Sequence, residues 1–148
     1  MKVNIESIPP EGCHLTLGPT EGWFVQILSS IFGNKFSDPS GKVTLNRLED
    51  LVTFFAQVNV VVSYECDRCL NSFHKPYHFE FKMNLLPQID DDIDFASYQD
   101  HCINLDHLIH ESLILELPIS ILCNPECKGL CMQCGHDLNL SPCPLHPA

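Results

Sequence analysis

Two runs of alternating side chains in the middle of this chain leave little choice about how it folds. Val58, Val60, Val62 and Tyr64 alternate with Asn59, Val61, Ser63 and Glu65. After the loop CDRCLNS, Phe73, Tyr77, Phe79, Phe81, Met83 and Leu85 alternate with His74, Pro76, His78, Glu80, Lys82 and Asn84, Lys75 being the one polar intruder. Successive strand side chains point to opposite faces, so a period of two over this length predicts a long antiparallel hairpin with one buried apolar face. Cys66 and Cys69 then lie at its tip. Pro76 has no N–H for a ladder, which places the start of the second strand at a sheet edge or a bulge.

The flanks supply the rest of a domain. Thr20 reads as an N-cap, and Phe24, Ile27, Leu28 and Ile31 then recur at helical spacing until Gly33 stops them. FSDPSGK reads as a turn-rich link before Val43 and Leu45 return the chain to a sheet. Leu105, Leu108, Ile109, Leu113 and Leu117 mark a second helix, with Pro118 as its stop. Between hairpin and helix, QIDDDIDFASYQD carries a cluster, Asp90, Asp91, Asp92 and Asp94, that is too polar and irregular to join a core; a solvated loop or an acidic patch both fit. The fold class expected is α+β: an antiparallel sheet built on the central hairpin, one or two packed helices, and a C-terminal zinc-binding cysteine-rich tail. Residues 1–122 are expected to form one domain that includes the hairpin tip, with 123–148 packed on it as the tail.

That tail, CNPECKGLCMQCGHDLNLSPCPLH, holds Cys123, Cys127, Cys131, Cys134, Cys143 and His146. Zinc imposes no ligand-field geometry and needs only four thiolate or imidazole groups brought together by tight turns, which C-x2-C achieves locally. Cys131 and Cys134, with Cys143 and His146 eight residues on, make a complete local set. Cys66, Cys69, Cys123 and Cys127 make a second if the hairpin tip meets the exit of the last helix. A rival partition joins Cys66/Cys69 to Cys131/Cys134, as in a zinc ribbon, and leaves the other four for another ion. One or two zinc ions per chain are expected. Cys13 and Cys102 read as small buried apolar residues. A thiol redox or metal-handling pair at Cys66/Cys69 is the competing chemistry, weakened by the missing βα context of thioredoxin-like motifs. His14, His74, His78, His101, His107 and His110 read as surface residues, and His136 is ambiguous.

The opening residues lack a secretory pattern, and no apolar run approaches about 18 residues, so a soluble cytoplasmic protein without membrane contact is expected. Closely spaced thiols in a reducing compartment point to metal before disulfides. Eight Lys and Arg against nineteen Asp and Glu give −11, which repels nucleic acid phosphate unless cations are concentrated and suits a basic protein partner. Arg68 and Lys128 lie inside cysteine loops, so if the loops meet, two scarce cations meet with them in a spot suited to phosphate or carboxylate. The bland alternative is that both are solvated loop residues.

With these residues in view, the chain resembles the YceD family of large ribosomal RNA subunit accumulation proteins. The marks are C-x-R-C-L at Cys66 to Leu70, LELP at Leu115 to Pro118, and LC-x3-CKGLC-x2-CG-x-x-LN from Leu122 to Asn139, followed by Cys143. Family members commonly finish with C-x-C, whereas Leu145 stands here at the second cysteine position, which suggests His146 as the replacement ligand. The resemblance implies a non-enzymatic role in the synthesis, processing or stability of large-subunit (23S) ribosomal RNA. Zinc would then support the fold, with no small-molecule substrate, and the partner would be the ribosomal RNA precursor or a basic ribosomal or processing protein.

Overall fold

A computed structural model of the chain describes residues 1–87 and 97–146. The strands are β1 (Lys2–Asn4), β2 (Cys13–Leu17), β3 (Phe36–Leu48), β4 (Leu51–Glu65), β5 (Ser72–Pro87), β6 (Ser97–Tyr98) and β7 (Cys102–Asn104), and the helices are α1 (Gly22–Phe32) and α2 (Leu105–Glu116). Five strands form a sheet in the order β2-β3-β4-β5-β6, and β1 pairs with β7 apart from it. The fold is therefore α+β and mostly antiparallel; among the described residues β6 runs parallel to its neighbour, Leu86 opposite Ser97.

The expected hairpin is β4 with β5. Side chains meet across it at Thr53 and Asn84, Gln57 and Glu80, and Asn59 and His78, one antiparallel register. Its inward row, Val52, Phe54, Ala56, Val58, Val60 and Val62 with Phe79, Phe81 and Leu85, is buried. Tyr77, Phe79 and Phe81 stack along that face. Pro76 is exposed on β5, whose outer edge, among the described residues, is paired to β6 at Leu86 and Pro87. A residue without an N–H costs nothing on such an edge.

Three expectations change. FSDPSGK is strand, not link: Pro39, Gly41, Val43 and Leu45 all point inward and are buried. Gly41 is required there, because a Cβ would run into the Gln57 carbonyl oxygen. The helix α1 begins one residue later than Thr20 predicts, with Glu21 as N-cap and no side-chain capping bond, and Phe32 is buried beside Phe24, Ile27 and Leu28. Asp90, Asp91, Asp92 and Asp94 lie outside the described residues; beyond them Tyr98 is buried and its hydroxyl donates to the Asp50 carbonyl at 2.8 Å. Cys13 and Cys102, expected to be buried, are half-buried.

Contacts divide the described residues into two compact units. The first holds Met1–Val61 and the described residues of Pro76–Leu117. Here α2 packs against α1 and β1, and α1 against β3. Phe24, Leu28, Val43, Leu45, Phe54, Ile109 and Leu113 are shut off from solvent, and full burial of each contributes roughly 1.5–3 kcal/mol. The second holds Val62–Lys75 and the described residues from Pro118 onward. It has little apolar sequence: Cys66, Cys69 and Cys127 form its buried cluster, with Phe73, Leu122 and Leu130 against them. No described helix is long and apolar enough to cross a membrane.

Candidate metal centres

Two short turns in the second unit are built alike. At the hairpin tip the Leu70 amide donates to the Cys66 carbonyl at 2.9 Å and the Cys66 amide to Asn71 at 3.0 Å. In the tail the Gly135 amide donates to the Cys131 carbonyl at 2.8 Å and the Cys131 amide to His136 at 2.8 Å. Each turn sends two thiols to one side and directs backbone N–H groups at the first sulfur. The reversal needs a left-handed residue after the second cysteine, and Gly135 (φ 75°) and Leu70 (φ 60°) supply it. Glycine pays no Cβ penalty in that conformation, whereas leucine does.

The first turn meets the chain leaving Pro118. The Asp67 amide donates to the Ile121 carbonyl at 2.9 Å, and the Ile121 amide to the Asp67 carboxylate at 2.7 Å. Sγ atoms of Cys66, Cys69, Cys123 and Cys127 then lie within 4.8 Å of one another. Closest are Cys69 and Cys123 at 3.6 Å and Cys66 and Cys127 at 3.8 Å. The second turn meets the last described residues, gathering Cys131, Cys134, Cys143 and His146 within the same limit. Cys134 and Cys143 are 3.4 Å apart, and His146 Nδ1 is 3.7 Å from Cys143 and 3.9 Å from Cys131. A tetrahedron with metal–sulfur bonds of about 2.3 Å has sulfur–sulfur edges of about 3.8 Å, so both clusters match a four-coordinate ion. A disulfide would need about 2.05 Å, and all nine cysteines are free. The geometry thus groups one long-range set, Cys66, Cys69, Cys123 and Cys127, and one sequence-local set, Cys131, Cys134, Cys143 and His146; Cys66/Cys69 and Cys131/Cys134 do not share a cluster.

Thiol acidity shows what an ion would relieve. Burial pushes Cys66 up, but backbone N–H groups of Cys123, Cys69 and Arg68 outweigh it and bring the thiol down to about 6. Cys131 also falls to about 6, under N–H groups of Gln133 and Cys134. Their neighbours go the other way: the Cys69 sulfur, burial, and the Cys66 and Cys127 sulfurs push Cys123 up to about 12. One thiolate per cluster is therefore favoured and the last is opposed by negative charge already present. A divalent cation removes that opposition. Four donors complete a tetrahedral ion and leave no open position for water or substrate.

The environments differ. In the first cluster Cys66, Cys69 and Cys127 are buried and Cys123 is exposed, whereas in the second Cys143 is buried, Cys131 half-buried, and Cys134 and His146 exposed. Sequence reasoning missed the residues that join the two loops. Asn139 Nδ2 donates to Cys127 Sγ at 3.5 Å, its Oδ1 accepts from the Lys128 amide at 2.8 Å, and Asn71 Nδ2 donates to the Asp137 carboxylate at 2.9 Å. The Asn139 amide, with the Asn71 and Asn139 side chains, holds the Asp137 carboxyl below the usual range. Asp137-x-Asn139 is a turn-forming pair directly after the second C-x2-C, the one local signal that could have pointed to them. Arg68 and Lys128 are exposed, and Arg68 Nη1 donates to the Cys127 carbonyl at 3.0 Å, so the two cations do share one loop junction. His136 bonds Ser141 rather than a cluster, at 3.0 Å to its hydroxyl.

A family model described as "Large ribosomal RNA subunit accumulation protein YceD" matches residues 55–147, a span containing both clusters. An uncharacterized protein of Mycobacterium tuberculosis is 31% identical over 84 residues, 53% of this chain and 41% of that protein. One from Mycobacterium leprae is 30% identical over 86 residues, 53% and 39% of the two chains. A Zea mays protein named "Large ribosomal RNA subunit accumulation protein YCED homolog 1, chloroplastic" is 39% identical over 59 residues, 39% and 20% of the two chains. The matches thus span less than half the length of these relatives. No solved structure matches the chain.

Proposed function

This chain belongs to the YceD family, and from that premise we propose that it is a non-enzymatic accessory factor of ribosome biogenesis. It would support synthesis, processing or stability of large-subunit (23S) ribosomal RNA in the cytoplasm. The observation that carries this reading is the family match over residues 55–147, which includes both clusters. Zinc is the ion we assign to each: thiolate-rich, four-donor tetrahedral sets suit it, and structural sites of this kind are closed. Cys66, Cys69, Cys123 and Cys127 hold one ion, and Cys131, Cys134, Cys143 and His146 the other. Such binding contributes about 10 kcal/mol or more to local folding. That offsets the sparse apolar content of the second unit.

Zinc would leave the molecule more acidic, since four thiolates give a site charge of −2 and three thiolates with a neutral imidazole −1. Arg68 and Lys128 at the metal-held junction are the contact we assign to a partner, either ribosomal RNA precursor or a basic ribosomal or processing protein. A thiol–disulfide role for Cys66 and Cys69 draws support from the depressed Cys66 thiol. It requires that metal-saturated protein keep a reactive pair, which alkylation would detect. The test of the main reading is density-gradient fractionation of cell extract. Wild-type protein should travel with large-subunit precursors and Cys134→Ser should not; sedimentation of wild type only with free protein would refute it.

A further inference from the structure

The outward face of the first unit's sheet is unlike the rest of the chain. Inward residues of β3, β4 and β5 are buried, and their alternate neighbours face solvent: Lys42 and Asn46 on β3, Asn59 on β4, and His78, Glu80 and Lys82 on β5 are exposed. On β2, His14 and Thr16 pair with Thr44 and Lys42 and share that face. Among the described residues from Gly41 to Asn46, Leu51 to Val61 and Pro76 to Leu86, Glu80 is the single carboxylate. It is engaged, accepting from Gln57 Nε2 at 3.0 Å with His78 Nε2 at 3.9 Å. Asp38 is exposed near the start of β3, and Glu49 and Asp50 form the β3–β4 turn. Between those ends, the middle of the face carries one net positive charge and two histidines on a chain of −11.

At its centre is an aromatic ring. Phe55 is an outward, half-buried residue in the first half of β4, and the register that joins Thr53 to Asn84 and Gln57 to Glu80 sets it opposite Lys82. Lys42 lies on the neighbouring strand. A solvent-facing aromatic on an open sheet, flanked by lysines and surrounded by side-chain amides and hydroxyls, has what unpaired bases require. The ring stacks one base, lysines meet the adjoining phosphates, and Asn, Gln and Thr reach base edges.

We propose that this sheet face, centred on Phe55 with Lys42 and Lys82, binds single-stranded RNA. The proposal rests on the ribosomal reading for its biological setting, and it adds a second surface, on the other unit from Arg68 and Lys128. Duplex RNA fits poorly: it is recognised by contacts spread over about 16 base pairs, and an acidic molecule with two lysines on the face cannot offset so many phosphates. Leu48, Leu51 and Leu86 are also outward, but they lie at the strand ends, so a protein docked on the lysine-flanked ring would meet a mostly polar centre.

The test uses the full zinc-loaded chain and a fluorescein-labelled twelve-nucleotide single-stranded RNA, followed by anisotropy at low salt. Binding should be weakly salt-dependent, with a log–log slope of about 1.4 for two neutralised phosphates. Phe55→Leu should weaken it about fivefold or more and Lys42→Glu/Lys82→Glu about tenfold or more, with melting temperatures held. Lys35→Glu, at an exposed lysine before β3, should leave it unchanged. Affinity indifferent to both face variants, equal affinity for a duplex, absence of binding up to about 1 mM protein, or capture of a protein instead of RNA at this face overturns the proposal. In cells, if deleting the chain lowers large-subunit RNA and Lys42→Glu/Lys82→Glu restores it fully, the face is wrong and the ribosomal role stands. If deletion leaves that RNA unchanged, the role itself fails.

Discussion

Leu70 and Gly135 occupy equivalent places in the two cysteine turns, yet only one is glycine. Leucine in the left-handed region costs about 1–2 kcal/mol, partly offset by the extra freedom glycine loses on folding. Leu70→Gly should therefore stabilise the turn by about 0.5–1 kcal/mol, read as slower metal loss to a chelator. Gly129 is the opposite case: φ is 74° and a Cβ would lie 3.0 Å from the Arg68 carbonyl oxygen. Gly129→Ala should destabilise the first cluster by about 1–3 kcal/mol and speed its metal release. The thiols add a pH dependence in metal-free protein. Cys66 and Cys131 are depressed to about 6, so their contribution is present above the unfolded value near 9 and is lost as pH falls through 6. Cys123 is raised to about 12, so its contribution is present below 9 and is lost as pH rises toward 12. Hydrogen-exchange protection of the Leu70 amide should peak near pH 9 without metal, and flatten above neutrality once zinc is bound.

At the scale of elements, the hairpin was legible because its alternation runs over many residues with Lys75 its one intruder, and α1 and α2 because apolar spacing and a terminal Gly33 or Pro118 agree. The strand β3 was obscured for a physical reason. Pro39 and Gly41 are strong turn formers, and they occupy inward positions where small size matters more than propensity. Gly41→Val should therefore behave as a core clash despite valine's preference for strands, lowering stability by about 2 kcal/mol or more in denaturant unfolding. The short strands β1, β6 and β7 carry too few residues for a periodic signal, and Tyr98 is tied in by a single hydroxyl bond that no local pattern announces. The cysteine spacings gave the two ligand sets as one of two partitions. What chooses between them is the meeting of Asp67 with Ile121, a contact between segments more than fifty residues apart.

At the scale of the molecule, two units of different physical character share one chain. The first is held by a conventional apolar core, whereas the second has a cluster of three buried cysteines where a core would be, with Cys143 buried as well. On this account metal is the cohesive element of the second unit, and the surface around Arg68 and Lys128 exists only while metal is bound. The central claim is tested most directly by native mass spectrometry of the intact chain purified in reducing buffer, with elemental analysis of the same sample. The account predicts two zinc ions per chain, falling to one in Cys134→Ser while the buried cluster stays loaded. A chain that carries no metal, or whose clustered cysteines prove to be joined as disulfides, would contradict it.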